Sequence, residues 1–318
     1  MNDLKKAGWS RGARTDKGVH ALINGINVKL AVTKEFLRDP DIEKEHVLEN
    51  AINTKQQQKN AIERKNQINY DKIIQTLNSN LPQDIRIISL KQVTKKFDIR
   101  TACSHRIYEY ILPLFMLQKF EDIKENKKVF LQIEQQIQEK INQILKKFIG
   151  TKSYHNYTKQ LKAGDSKCKR YIINMKGQIF EKNQEKFVRF TFFGQSFIYH
   201  QIRKMIGMIC MVFQKQLELD FIDKSFEKEF TKVWLAPAHG LFLNQMVFDQ
   251  YNKRQEIPEL IVWDENEIKR IEEMRNIIEY VVMNVNIVQN LYFQWAKNVN
   301  EGIEIQEIDE GLSNDGGD

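Results

Sequence analysis

The chain has little cysteine: Cys103, Cys168 and Cys210 are far apart and form no Cys-x-x-Cys pair. That spacing provides neither a disulfide framework nor a zinc site, and it suits a reducing compartment. Long apolar runs are missing too, so no stretch of the sequence is of bilayer-spanning length. The opening residues, Met1-Asn2-Asp3-Leu4-Lys5-Lys6, lack the apolar core of a secretory signal and the Arg/Ser-rich, acid-free character of a transit peptide. Gly-x-x-x-x-Gly-Lys, Gly-x-Gly-x-x-Gly, Gly-x-Ser-x-Gly and His-Glu-x-x-His are all absent. Their absence argues against P-loop, dinucleotide-binding, α/β-hydrolase and zincin chemistry.

What is present is charge, unevenly distributed. The 318 residues carry a net +7 with a pI near 9.0, and 29% of them are charged against 42% hydrophobic. From Glu301 onward there are seven carboxylates and no Lys or Arg, so the residues before Glu301 carry +14. A body that basic suits a polyanionic partner held by phosphate neutralisation and counterion release, although plain solubility would be served by the same excess. The length allows a substantial core, in one large domain or two smaller ones.

Periodicity divides the chain into mixed elements. Alternation predicts strands at Gly25–Val32 (Ile26, Val28 and Leu30 on one side), Ile85–Val93, Arg106–Leu112, Phe187–Phe193 and Leu241–Phe248. Apolar residues every three or four positions predict helices at Tyr70–Leu77, at Leu131–Ile149 with Gly150 as its C-cap, and from Asp264 through Val288 and beyond. A further helix follows Gly194, with Ser196 as its N-cap and Ile202, Met205, Ile206, Ile209 and Phe213 on its apolar face. Residues 39–69 are polar and Gln-rich and read as an exposed insertion; Thr151–Ser166 reads as a loop. The elements lack the regular alternation of a parallel α/β protein, which makes this an α+β chain with a largely antiparallel sheet.

One segment carries more chemical information than the rest: Arg14-Thr15-Asp16-Lys17-Gly18-Val19-His20-Ala21. It sets a carboxylate between two cations in a turn. Most Asp-x-Gly segments simply cap local amides, and Asp16 could do only that. A functional Asp16 kept ionised in a closed pocket needs a further cation. Arg203, three residues after His200 and on the same helical face, could supply it or could be an ordinary solvated arginine. Tyr108 and Tyr110 lie on one face of a strand behind Arg106; they suit core packing, or stacking on an unstacked base. His155 and Asn156 fall among Lys152, Lys159, Lys162, Lys167, Lys169 and Arg170, which favours a loop facing RNA. Phe197, Tyr199 and His200 open the next helix, where a phosphate could bind or where the rings could be core.

Seven segments, in order, resemble the TruA superfamily of pseudouridine synthases, in its eukaryotic tRNA pseudouridine synthase 1 branch. They are Gly8-Trp9-Ser10-Arg11-Gly12-Ala13 leading into the Asp16 run, Leu81-Pro82-Gln83-Asp84-Ile85-Arg86-Ile87, and Phe97-Asp98-Ile99-Arg100 through Arg106-Ile107-Tyr108-Glu109-Tyr110. After these come Gly150-Thr151 with His155-Asn156-Tyr157-Thr158, then Cys168-Lys169-Arg170-Tyr171-Ile172. The last two are Gly194-Gln195-Ser196-Phe197 through His200-Gln201-Ile202-Arg203-Lys204-Met205, and Leu235-Ala236-Pro237-Ala238 with Gly240-Leu241. Together they cover most of Gly8 to Arg254.

The resemblance implies two α/β halves, 1–113 and 114–299, joined across a central basic RNA-binding cleft, with an acidic disordered tail at 300–318. It implies isomerisation of uridine to pseudouridine in tRNA, around the anticodon stem and loop, with small nuclear RNA or mRNA as further substrates. No cofactor or metal is implied. Asp16 would be the catalytic carboxylate, Tyr108 the ring on the target uracil and Arg203 the ion-pair partner of Asp16. Arg14, Lys17, His20, Arg106, His155, Asn156, Lys159, His200 and Lys204 would contact RNA. A nuclear monomer or homodimer without a membrane contact is expected, with mitochondrion and then cytoplasm as alternative locations. Family members also carry a strand and helix before the position of Gly8, and this chain begins too late to include them. The competing readings are a catalytically impaired RNA-binding relative and a subunit of a larger assembly.

Overall fold

The alternating residues Val188, Phe190 and Phe192 sit in the middle of the protein's main sheet, in a computed structural model that describes residues 7–37, 68–125, 131–159 and 161–303. The described strands are β1 (Ser10–Arg11), β2 (His20–Ala21), β3 (Ile26–Asn27), β4 (His105–Pro113), β5 (Gly150–Ser153), β6 (Lys169–Lys182), β7 (Glu185–Gly194) and β8 (Leu241–Val247). Among the described residues the longer helices are α1 (Tyr70–Ser79), α2 (Leu131–Phe148), α3 (Gln201–Gln214), α4 (Glu265–Val282) and α5 (Val285–Asn300). Two interleaved units result. One comprises Met1–Gly12, Gly25–Ala102 and Gln250–Arg275; the other comprises Ala13–Asn24, Cys103–Asp249 and Asn276–Asp318. Their boundaries do not follow a single cut near residue 113, and one of them falls inside α4.

The larger unit holds a six-stranded sheet in the order β2-β8-β4-β7-β6-β5, antiparallel throughout except for β2 beside β8. This is the mixed, mostly antiparallel α+β arrangement that the element pattern predicts. β4 lies near the centre and is covered on both faces: Tyr110, Ile111 and Leu112 are all buried. α2 lies over β6, with Ile137, Ile141, Ile144, Leu145 and Phe148 inward. The helix approaches so closely that a Cβ at Gly177 would fall 2.6 Å from the Ile141 side chain. Gln138 bridges the same contact, donating to the Gly177 carbonyl at 2.7 Å and accepting from the Ile179 amide at 3.2 Å.

Several sequence expectations need correction. Thr151–Ser166 is not one loop: Gly150–Ser153 is the edge strand β5, and short 3-10 turns occupy His155–Tyr157 and Ser166–Cys168. Ser196 is not a helix cap, because α3 begins only at Gln201. The single helix expected from Asp264 is two, separated where Asn284 caps α5 by accepting from the Ile287 amide at 3.4 Å.

In the other unit, Asn69 caps α1 by accepting from the Lys72 amide at 3.0 Å, and Ile73 and Ile74 are buried. Gly25–Val32 contains only the two-residue β3, paired with β1, and Ile26, Val28 and Leu30 are exposed rather than half-buried. Ile85–Val93 forms no strand and belongs to no sheet. Side chains replace the ladder there: Asn78 bonds both the amide (2.7 Å) and the carbonyl (3.0 Å) of Ile87, and Glu259 accepts from the Gln92 amide at 3.0 Å. The expected insertion at 39–69 and the acidic tail lie almost wholly outside the described residues. No described helix is long and apolar enough to cross a membrane.

Candidate active site

Asp16 opens a four-residue turn in which its carbonyl accepts from the Val19 amide at 3.0 Å. Gly18, in the third position, has φ +78°, the positive value a type II turn requires there and glycine adopts without strain. The chain leaves the turn directly into the sheet. His20 and Ala21 run parallel to Phe242 and Leu243, and the Leu22 amide donates to the Leu243 carbonyl at 2.8 Å. The carboxylate is therefore carried on a short segment tied to a sheet strand. Its side chain is 26% exposed, so it is partly withdrawn from water.

Tyr108 is electrostatically linked to Asp16. It comes from β4, just beyond an irregularity in the β4–β8 register between Ile107 and Tyr108, and meets Phe197 edge-on at 5.2 Å. Burial pushes its phenol up to about 12; Arg106 pulls against that shift and the Asp16 carboxylate adds to it. The phenol therefore stays protonated at neutral pH, and it feels the charge of Asp16.

His200 closes the site from the other side. It is the residue before α3, with a left-handed backbone (φ +65°), a conformation that histidine adopts more readily than most side chains. Its ring is fully buried, stacks on Tyr199 at 3.6 Å, and brings Nε2 to 3.9 Å from Asp16 Oδ2. The carboxylate thus lies beside the ring of the residue that precedes α3. Because His200 precedes the helix, the same-face argument linking it to Arg203 by helical spacing does not apply.

Arg203, one turn into α3, is 4% exposed and is not a solvated arginine. Its Nε donates to the Ala236 carbonyl at 2.7 Å, and its own carbonyl accepts from the Ala236 amide at 3.2 Å. This seats the segment before β8, in which consecutive residues meet different elements. Ala236 holds Arg203; Pro237 O accepts from the Tyr110 hydroxyl at 2.9 Å; the Cβ of Ala238 is 3.4 Å from where one would stand at Gly18. His239 meets His20 edge-on at 6.1 Å, and the Gly240 carbonyl accepts from the Ile111 amide at 2.9 Å. The loop joins the arginine helix to the Asp16 turn. Burial lowers the pKa of both His20 and His239, the neighbouring His239 lowering that of His20 further, so this pair is neutral at pH 7.

The remaining expected RNA contacts divide. Arg14, Lys17 and Lys159 are exposed. Arg106 is on β4, electrostatically coupled to Tyr108. Lys204 donates to the Asn156 carbonyl at 3.1 Å; burial, then Lys159, lowers its pKa. His155 and Asn156 turn inward, against the expectation of an RNA-facing loop. Asn156 donates to the carbonyls of Ser225 (3.0 Å) and Glu229 (2.9 Å) and accepts from the Thr231 amide (3.1 Å). His155 bonds Ser153 Oγ and the Asn156 amide group. Sequence reasoning named Tyr110 and the Pro237 segment but not the bond between them, and it missed Tyr292.

The fold and site define an α+β protein whose candidate reactive group is the Asp16 carboxylate, beside the buried His200 ring and close enough to raise the pKa of the buried Tyr108 phenol. Residues 144–249, which include β6, β7, Arg203 and the Pro237 loop, match the family model described as tRNA pseudouridine synthase. The pseudouridylate synthase 1 homologs of Homo sapiens and Mus musculus are 29% and 28% identical over 254 residues, 79% of this chain. They are matched over 50% and 51% of their own lengths. The tRNA pseudouridine synthase 1 of Saccharomyces cerevisiae is 26% identical over 332 residues, covering 80% of this chain and 54% of the relative. The chain thus spans about half the length of the curated relatives it matches.

Proposed function

We propose that this protein isomerises uridine to pseudouridine in tRNA, with Asp16 as the essential carboxylate. The observation that carries the proposal is the convergence of Asp16, Tyr108 and the His200 end of α3 in one site. That site is continuous with a segment matching the tRNA pseudouridine synthase family. The reaction breaks the C1′–N1 bond, turns the base and forms a C1′–C5 bond; N1 takes a proton and the proton on C5 is lost to water. No atom is added, so positioning and one ionised carboxylate suffice. Arg203 offsets the cost of holding Asp16 charged in a pocket short of water, and Tyr108 replaces part of the stacking that the everted uridine gives up.

The excess of +14 before Glu301 supports an RNA partner, and the name of the Saccharomyces cerevisiae relative points to tRNA. Small nuclear RNA or mRNA as further substrates, a monomer or homodimer and a nuclear location are parts of the same proposal. Sizing chromatography and imaging of the tagged chain test the last two. For the activity, tritium release from tRNA labelled at uridine C5 is the assay. Asp16→Asn is expected to bring turnover below detection while gel-shift binding of tRNA persists. Full turnover by this variant would overturn the assignment.

A further inference from the structure

We propose that Tyr292, on α5 and outside the family-matched segment, is a positioning residue for the candidate active site, acting with Tyr110 through the Pro237 loop. The proposal rests on the functional reading above. Its basis is a chain of buried hydroxyls: Tyr292 donates to the Tyr110 oxygen at 3.1 Å, and Tyr110 donates to the Pro237 carbonyl at 2.9 Å. Both residues are fully buried. Phenylalanine would fill nearly the same space without dehydrating a hydroxyl, so a purely structural core would gain little from two phenols here.

The direction of the chain is fixed. The Pro237 carbonyl can only accept, so Tyr110 gives it its one proton and takes the Tyr292 proton on its own oxygen. The Ile111 carbonyl lies at 3.5 Å from the Tyr292 hydroxyl as a longer second acceptor. Burial raises both phenols well above the ordinary tyrosine value and keeps both protonated. Arg203 lies close enough to oppose that shift in each case. The loop is built around the pair. A Cβ at Gly240 would stand 2.4 Å from the Tyr292 hydroxyl oxygen, 2.6 Å from the Ile111 carbonyl oxygen and 2.8 Å from the Tyr110 ring, so the two side chains and the β4 backbone together demand glycine there. Pro237 stands between Ala236, which holds the Arg203 guanidinium, and Ala238, which touches the Asp16 turn at Gly18. A rigid hold on Pro237 from beneath therefore sets the spacing of the two groups above it. Tyr292 acts at a distance, on geometry, and touches no substrate.

The test compares Tyr292→Phe, Tyr110→Phe and the double variant in single-turnover reactions at saturating tRNA. The rate is expected to fall about tenfold in each single variant, the size of effect that follows from losing one buried hydrogen bond. The double variant should fall little further, because both changes break one chain. The tRNA dissociation constant should stay within about twofold of the parent value. Tyr154→Phe is the control: its hydroxyl donates to the Phe148 carbonyl at 2.8 Å, so it loses an equivalent bond and should keep its rate. Hydrogen exchange at the Ala236 and Leu241 amides gives a second readout, independent of activity, and should quicken in Tyr292→Phe. An inactive parent protein would defeat the functional reading alone, leaving the exchange experiment to decide the positioning role. Unchanged exchange in Tyr292→Phe, an unchanged rate in that variant, or an equal rate loss in Tyr154→Phe would overturn this inference.

Discussion

Replacing Gly207 by alanine should destabilise the protein although it improves the helix. Gly207 lies inside α3, where alanine is intrinsically favoured over glycine by about 1 kcal/mol. The structure forbids that gain. A Cβ at this position would stand 1.9 Å from the Trp234 carbonyl oxygen and 2.6 Å from its carbon. These are backbone atoms, so no side-chain rotation relieves the clash, and the chain at Trp234 must retreat by roughly 1 Å or more to reach ordinary contact. Overpacking of this kind costs about 1–3 kcal/mol. The retreat also strains the two bonds between Arg203 and Ala236, which begin two residues further on; the charged one alone is worth about 1.5–3 kcal/mol. Together these outweigh the propensity gain and leave Gly207→Ala about 2–4 kcal/mol less stable. In a domain of this size the melting temperature should drop by about 4–16 °C. Thermal unfolding followed by circular dichroism measures it. A melting temperature equal to or above that of the parent would show that the segment at Trp234 yields freely, and would refute the reasoning.

Three further outcomes follow from the structure. Alkaline pH should destabilise the fold from about pH 10: burial raises the pKa of Tyr108, Tyr110, Tyr154, Tyr157 and Tyr292, so the unfolded chain releases these protons first. The stability they support is intact below the unfolded value and is lost as pH rises through the folded ones, so equal urea midpoints at pH 8 and pH 10.5 would contradict this. Glu267, nearly buried, accepts from Ser89, from the Asp264 amide and from the Lys91 ammonium at 3.0 Å, so Glu267→Ala should cost about 3 kcal/mol by urea denaturation. Gly18→Ala must adopt φ +78° with a Cβ 3.4 Å from Ala238, which should cost about 1 kcal/mol of stability and slow the proposed isomerisation without weakening the proposed tRNA binding; an unchanged rate would show that the turn tolerates the strain.

Residue pattern reveals an element when the element's own side chains determine its burial. α2 is legible because Ile137, Ile141 and Leu145 repeat with the helical period and are buried where the helix packs on β6; β7 is legible because Val188, Phe190 and Phe192 alternate. Gly25–Val32 and Ile85–Val93 alternate just as well and still fail as strands. Alternation describes where side chains point, while a ladder needs a second backbone at the right distance. For Ile87 that place is taken by the side chain of Asn78.

The candidate site follows the same division. Composition and local order were enough to single out Asp16, the charge asymmetry, the strand carrying Tyr108 and the α+β class, because each depends on neighbours within a few residues. Tertiary structure decided the rest: that Arg203 is buried and bound to Ala236, that His200 stands before the helix beside Asp16, and that Asn156 faces inward. It also decided that Tyr292 reaches Pro237 through Tyr110, across 182 positions of chain between the two tyrosines. Contacts of that range depend on how separate elements pack together, and no local pattern of residue types records the packing.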